Sequence, residues 1–196
     1  MSALTVDPGP TDGYGWEDLV RLREEMEWPE GCKVEIIEGI ITVSPPASSD
    51  HNNIADDIQR LLYTVIPRSW GIFQTQGVAV PGRQGIYIPD LAVMPKEALA
   101  TARTDIPAGV AELVVEITSR TNAGQDRISK PAGYAQAGVP LYLLVDAWAP
   151  GGPTVTLFGE PKGDVYRVLQ AGKFGDPVRL PEPFDVVIDT GVFVVG

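Results

Sequence analysis

Two stretches of this sequence read as buried strands, and each carries a carboxylate: IYIPDLAVM (86–94) and AELVVEIT (111–118). Short apolar runs rich in β-branched residues form strands, with alternate side chains on opposite faces. That alternation places Ile86, Ile88, Asp90, Ala92 and Met94 on one face of the first run. In the second, Leu113, Val115 and Ile117 oppose Glu112, Val114, Glu116 and Thr118. A carboxylate among aliphatic side chains is costly to bury unless it is paired, hydrogen-bonded or bound to a metal. The fold must therefore bring donors or cations to Asp90 and Glu116. Blander readings stand beside this one. Asp90 would sit at a strand end accepting backbone hydrogen bonds, and Glu116 would lie on the solvated face of a half-exposed strand. Against the latter, an acid near the C-terminal end of such a strand is a common ligand position in open α/β sheets.

The surrounding pattern predicts one α/β (α+β) domain over residues 14–196, built around a central mixed sheet flanked by helices. Residues 1–13 read as a flexible acidic tail. A helix is expected over Trp16–Met26, stopped by Pro29 and Gly31. The run KVEIIEGIITVS (33–44) reads as a hairpin turning at Glu38-Gly39. A second helix is expected from Ser49, as N-cap, to about Ile66. Strands follow at 71–80 and 86–94, then 111–118. A helix falls within 123–137, PLYLLV (140–145) reads as a buried strand, and 153–196 forms a β-rich tail. Neither GxGxxG nor GxxxxGKS/T is present.

Other residues join the two carboxylates. Asp126, Lys130 and Tyr134 are spaced to share one helix face, although Pro131 disfavours helical backbone at Lys130. The helix either begins near Lys130, with Ser129 as cap, or kinks there. Glu35 shares a strand face with Lys33 and Ile37. His51, the one histidine, reads chiefly as a helix-start residue bonded to backbone. Read singly, Lys130 is a surface ion pair and Glu35 a solvated strand residue. Read together, two strand carboxylates followed by a lysine suit a Mg²⁺ or Mn²⁺ site, because these ions take oxygen ligands and need few carboxylates when phosphates and waters complete the shell. Such a site fits metal-assisted phosphodiester hydrolysis.

Composition narrows the choices. The chain has 196 residues with 15 Lys+Arg against 26 Asp+Glu, a net charge of −11. That balance opposes binding to nucleic acid or anionic membrane by general charge attraction. The excess is uneven: residues 1–57 hold 13 acidic and 3 basic side chains, so the remainder is nearly neutral. One cysteine excludes an internal disulfide. No apolar run is long enough to span a bilayer, and the N-terminus is unlike a signal peptide, so a cytoplasmic protein with no membrane partner is expected.

The stretches VEIIEGIITVSPPASSDHNNI (34–54), IPDLAVM (88–94), ELVVEITSRT (112–121) and DRISKPAGYAQAGVPLYLLVD (126–146) resemble the bacterial putative restriction endonuclease family of the PD-(D/E)XK nuclease superfamily. The resemblance implies a restriction-endonuclease-like core. It maps the Asp of the PD motif onto Asp90 and the second acid onto Glu116. Glu35 becomes an additional carboxylate, and the family's His, Lys and Tyr fall at His51, Lys130 and Tyr134. One departure stands out: the E-x-K lysine belongs at position 118, where this chain has Thr118, and Lys130 is the natural replacement.

The expected site is therefore Glu35, Asp90, Glu116 and Lys130 as catalytic residues. Asp90, Glu116 and the Ile117 carbonyl would hold the metal, and Lys130 would position the attacking water. Arg120 and Arg127 are modest candidates for phosphate contact. The expected activity is a Mg²⁺- or Mn²⁺-dependent endonuclease with DNA as substrate, and the β-rich tail offers a surface for a homodimer. Two alternatives predict different behaviour. A nuclease-like binding module, supported by Thr118, binds nucleic acid or protein without turnover. An interaction protein docks a basic partner through its acidic N-terminal region.

Overall fold

The computed structural model describes residues 4–6, 15–100 and 104–194. In chain order the elements are β1 (Leu4–Val6), α1 (Trp16–Glu25), β2 (Lys33–Ile37), β3 (Ile40–Ser44), α2 (Ser49–Tyr63), β4 (Trp70–Phe73), β5 (Val78–Val80), β6 (Gly85–Tyr87), β7 (Leu91–Pro95), β8 (Ile106–Pro107), β9 (Leu113–Ile117), α3 (Lys130–Gln136), β10 (Leu141–Asp146), β11 (Thr154–Lys162), β12 (Val165–Lys173), β13 (Val178–Leu180) and β14 (Val186–Ile188). Strand β1 pairs antiparallel with β3 where the sequence suggests a tail. The rest of that expected tail lies outside the described residues.

The expected mixed sheet is present as two. One runs β1-β3-β2-β6-β5-β8, the other β12-β11-β10-β9-β7-β4. Each long strand expected near 71–80 and 86–94 is two strands in different sheets, because polar or proline-bearing segments interrupt the apolar runs. Gln74–Gly77 separates β4 from β5, and Ile88-Pro89-Asp90 separates β6 from β7. Asp90 thus lies where the chain crosses between the sheets.

Strand β9 is central to the second sheet and buried on both faces. Its odd residues Leu113, Val115 and Ile117 pack with Ile54, Ile58 and Leu62 of α2. Its even residue Val114 packs with Tyr134 of α3, Tyr142 of β10, and Ile37, Val78 and Tyr87 of the first sheet. Helix α3 is the crossover between the parallel strands β9 and β10, so it lies against the same face that carries Glu116. Helix α1 covers the first sheet through Leu19, against Ile36, Ile41 and Ile86. The tail is part of the core: Val178, Leu180, Phe184 and Ile188 pack with the α2 residues.

One helix start differs from expectation, and α3 begins at Lys130, one of the two expected alternatives, with a π turn ahead of it. Ser48, one residue early, caps α2 by accepting from the His51 backbone N–H at 3.3 Å. Ahead of α3, Gln125–Ser129 forms a π turn in which Lys130 N–H donates to the Gln125 carbonyl. The wider turn keeps Ser129 and Lys130 helical and places Pro131 in the first turn of α3, where its missing N–H costs little. No helix among the described residues is long and apolar enough to cross a membrane.

Candidate active site

The register of β7 on β9 pairs Leu91 with Val115, Ala92 with Val114 and Val93 with Leu113. Continued by one residue, it sets Asp90 directly across from Glu116. Two like charges in a cross-strand pair repel, and repel more strongly when buried. Glu116 is only 1% exposed and Asp90 8%. The fold meets this with cations and donors from three further elements, β2, α2 and α3.

Around Asp90 the partners reach the protein surface. Lys33, the first residue of β2, places its ammonium on Oδ1. His51, in the first turn of α2, stands with Nε2 2.9 Å from Oδ2. The backbone N–H of Ile117 donates to Oδ2 at 2.8 Å. Burial pushes the Asp90 carboxyl up, but Lys33 and His51 outweigh it and hold the group below the usual range. Burial draws His51 down more than Asp90 draws it up, which favours the neutral ring. Lys33 is likewise lowered by burial but raised further by Asp90 and Glu116.

Beneath this lies a second, solvent-excluded stratum. The Lys130 ammonium is 3.0 Å from Glu35 Oε1, 3.1 Å from Glu116 Oε1 and 3.2 Å from Asp126 Oδ1. Glu35 also accepts from the Ile88 N–H at 2.7 Å, and Tyr134 donates its hydroxyl proton to Glu116 at 2.8 Å. Neither Asp126 oxygen has a well-aligned hydrogen bond among the described residues. Burial accordingly pushes Asp126 up to about 6 against the pull of Lys130. Burial raises Glu116 well above a normal glutamate, opposed by Lys130 and reinforced by Asp126 and Asp90. Burial lowers Lys130, but Glu116, Glu35 and Asp126 together hold it well above its ordinary value, so it stays charged.

The structure therefore brings Glu35, Asp90, Glu116 and Lys130 into one connected cluster, with Ile117 against Asp90. It also brings in three residues beyond the expected catalytic and metal-binding set. Lys33 was visible as the face-mate of Glu35, two residues away. Asp126 was visible as the helical neighbour of Lys130. His51 is bound to Asp90 through its ring, although its backbone also serves the helix start. Arg127 forks onto Asp146 at 2.7 and 2.8 Å, so it is engaged within the fold rather than poised for phosphate. Arg120 lies 4.1 Å above the Trp148 ring. Thr118, where the E-x-K spacing would place a lysine, donates to Asp146 at 3.0 Å.

A pocket of about 330 Å³ opens above the upper stratum. Lys33, His51, Asp90 and Ile117 form its floor, with Arg120 and Trp148 on one wall. Glu116 and Lys130 do not line it.

The cluster's donor chemistry suits a divalent cation. Glu35, Asp90, Glu116 and Asp126 carry two more charges, if all ionised, than Lys33 and Lys130 neutralise. Among the described residues no three acidic, His or Cys side chains are grouped tightly enough to cage a metal alone. Two carboxylates are the usual complement for Mg²⁺, whose remaining ligands are waters and substrate phosphates.

Fold and site together define a nuclease-like α/β protein, with mixed sheets, flanking helices and a buried carboxylate–lysine cluster at the sheet junction. The chain belongs to the Uma2 family, described as "putative restriction endonuclease", whose model matches residues 16–191. Its structure is similar to the crystal structure of a putative nuclease belonging to DUF820 from Anabaena variabilis ATCC 29413. That likeness has a TM-score of 0.63 and 16% identity, and covers 91% of this chain and 96% of the other. No curated protein matches by sequence.

Proposed function

We propose that the protein is a Mg²⁺- or Mn²⁺-dependent endonuclease that hydrolyses phosphodiester bonds in DNA. The observation that carries this reading is the pair formed by Asp90, just before β7, and Glu116 of β9, with Asp90 lining a pocket and Glu116 fully buried beside it. Family membership and the divalent-metal habit of restriction-endonuclease-like proteins point the same way. Asp90, Glu116 and the Ile117 carbonyl would hold the cation. Bound there, a divalent cation supplies Lewis acidity for phosphoryl transfer.

The chain's own residues do the rest. His51 and the Ile117 N–H fix the orientation of Asp90. Lys130 and Tyr134 fix Glu116, and Lys130 ties it to Glu35. In the reaction the oxygen of water bonds to phosphorus, one ester P–O bond breaks, and a proton from the water ends on the leaving oxygen. The charge of −11 and the scarcity of cations around the pocket make DNA binding dependent on the metal.

The test is cleavage of plasmid and single-stranded DNA with Mg²⁺ or Mn²⁺ by wild type, Asp90→Ala and Glu116→Ala. Loss of activity in both variants is expected. Equal activity in all three would assign the cleavage to a contaminant or another site. Calorimetric titration with Mn²⁺ showing no binding at millimolar metal would sink the metal site.

A second reading has its own observation. Thr118 turns toward Asp146, so the E-x-K lysine position carries no cation. A binding module that no longer cuts would bind nucleic acid equally well with and without metal.

A further inference from the structure

The cluster contains two lysines, and their surroundings divide the work between them. Lys130 is 1% exposed and has three carboxylates within 3.2 Å, as many as an ammonium has protons. It does not line the pocket. Those acids take all its protons, so it has none to offer a phosphate or a water entering from solvent. Thr118 offers no cation either. Lys33 differs in each respect. Its side chain is 29% exposed and lines the pocket floor beside Asp90 and His51. Its ammonium pairs with Asp90 Oδ1 and donates to the Ile88 carbonyl at 3.3 Å. Those two partners leave the third proton for the pocket. Its stem is held in place because Lys33 opens β2, opposite Ser44 of β3.

The other pocket cation is Arg120, whose guanidinium rests on Trp148 at the wall, whereas Lys33 touches the pocket-facing carboxylate itself. A compact ammonium is suited to a phosphate as a point charge, and a fixed positive charge beside developing negative charge lowers the barrier without any proton transfer.

We propose that Lys33 is the catalytic lysine, contacting the scissile phosphate and the attacking water, and that Lys130 is a positioning residue that holds Glu35, Glu116 and Asp126 in register. This rests on the nuclease reading above. Lys33 stays an ammonium throughout, so the bonds made and broken are those of the hydrolysis alone.

The experiment compares wild type, Lys33→Met and Lys33→Arg in three measurements. These are Mn²⁺-dependent DNA cleavage, anisotropy titration of a short fluorescein-labelled single-stranded oligonucleotide with Ca²⁺ in place of Mn²⁺, and thermal melting. Lys33→Met keeps the aliphatic stem. It is expected to cut at least about 100-fold more slowly, the scale of losing one charge-stabilising group. It should bind the oligonucleotide more weakly, melt within about 3 °C of wild type and still bind Mn²⁺ in calorimetry. Lys33→Arg is expected to recover oligonucleotide binding and part of the rate. A Lys33→Met enzyme that binds and cuts like wild type, while Asp90→Ala is dead, overturns the Lys33 assignment and leaves the nuclease reading standing. A wild type that cuts no DNA with either metal overturns the nuclease reading. The phosphate contact is then decided by the oligonucleotide titration, where weaker binding by Lys33→Met supports it and equal binding sinks it.

Discussion

Replacing Lys130 by Met removes one positive charge from a site with no solvent to compensate. Glu35, Glu116 and Asp126 each lie within 3.2 Å of the ammonium and would then face one another across a cavity that Met fills without charge. Breaking a buried pair by deleting one partner costs about 3–5 kcal/mol. For a chain of this length each kcal/mol moves the melting midpoint by about 2–4 °C, so Lys130→Met is expected to melt roughly 6–20 °C below wild type at pH 7.5. The loss has a pH signature. Without the lysine, Glu116 and Asp126 relieve their repulsion by taking up protons, more readily than in wild type, where burial already raises both. Lowering the pH to 5 supplies those protons, so the deficit shrinks. Circular-dichroism melts of both proteins at the two pH values measure it. A variant that melts within 2 °C of wild type at both would refute the claim that the three carboxylates depend on this ammonium. A deficit that grows on acidification would refute the direction assigned to Glu116 and Asp126.

Further outcomes follow from the same geometry. Asp126 has its folded value raised from 3.8 to about 6, so its contribution to stability is present in full below about 4 and is lost as pH rises through 6. Asp126→Asn should therefore flatten the pH dependence of the melting midpoint between 4 and 6, and an unchanged slope there would contradict the assignment. Tyr134→Phe deletes the hydroxyl that serves Glu116, with an expected cost of about 1 kcal/mol in urea unfolding. Gly133→Ala would put a Cβ 2.5 Å from the Tyr87 hydroxyl and 2.6 Å from its ring, so a loss of about 1–3 kcal/mol is expected, and a neutral result would mean that Tyr87 swings away freely.

Much of the site was legible in the sequence. A single acid interrupting an apolar run announces a buried charge that needs a partner, which is how Asp90 and Glu116 stand out. The spacing of Asp126, Lys130 and Tyr134 announces a shared helical face, and the π turn preserves it despite Pro131. What misled was continuity. Alternation across 86–94 suggests one strand, but Pro89 ends a run that passes from one sheet to the other. His51 looked like a helix-start residue because sequence proximity shows only its own helix. Its ring partner, Asp90, lies 39 residues away and meets it only through packing.

Sequence alone determined the class of fold, the carboxylates and the pair of face-sharing motifs, because those depend on local periodicity and on the cost of burying charge. It also determined that the acidic excess belongs to the first third of the chain. There Glu17, Glu24, Glu25, Glu27 and Glu30 are exposed on α1 and the turn after it. Tertiary structure alone decided which lysine faces solvent. Lys33 and Lys130 carry the same ammonium, and nothing in their local sequence ranks them. The crossover that lays α3 on β9 buries Lys130 among three acids, while the sheet junction leaves Lys33 at the pocket floor. The difference is one of solvent access, and that is set by packing between segments far apart in the chain.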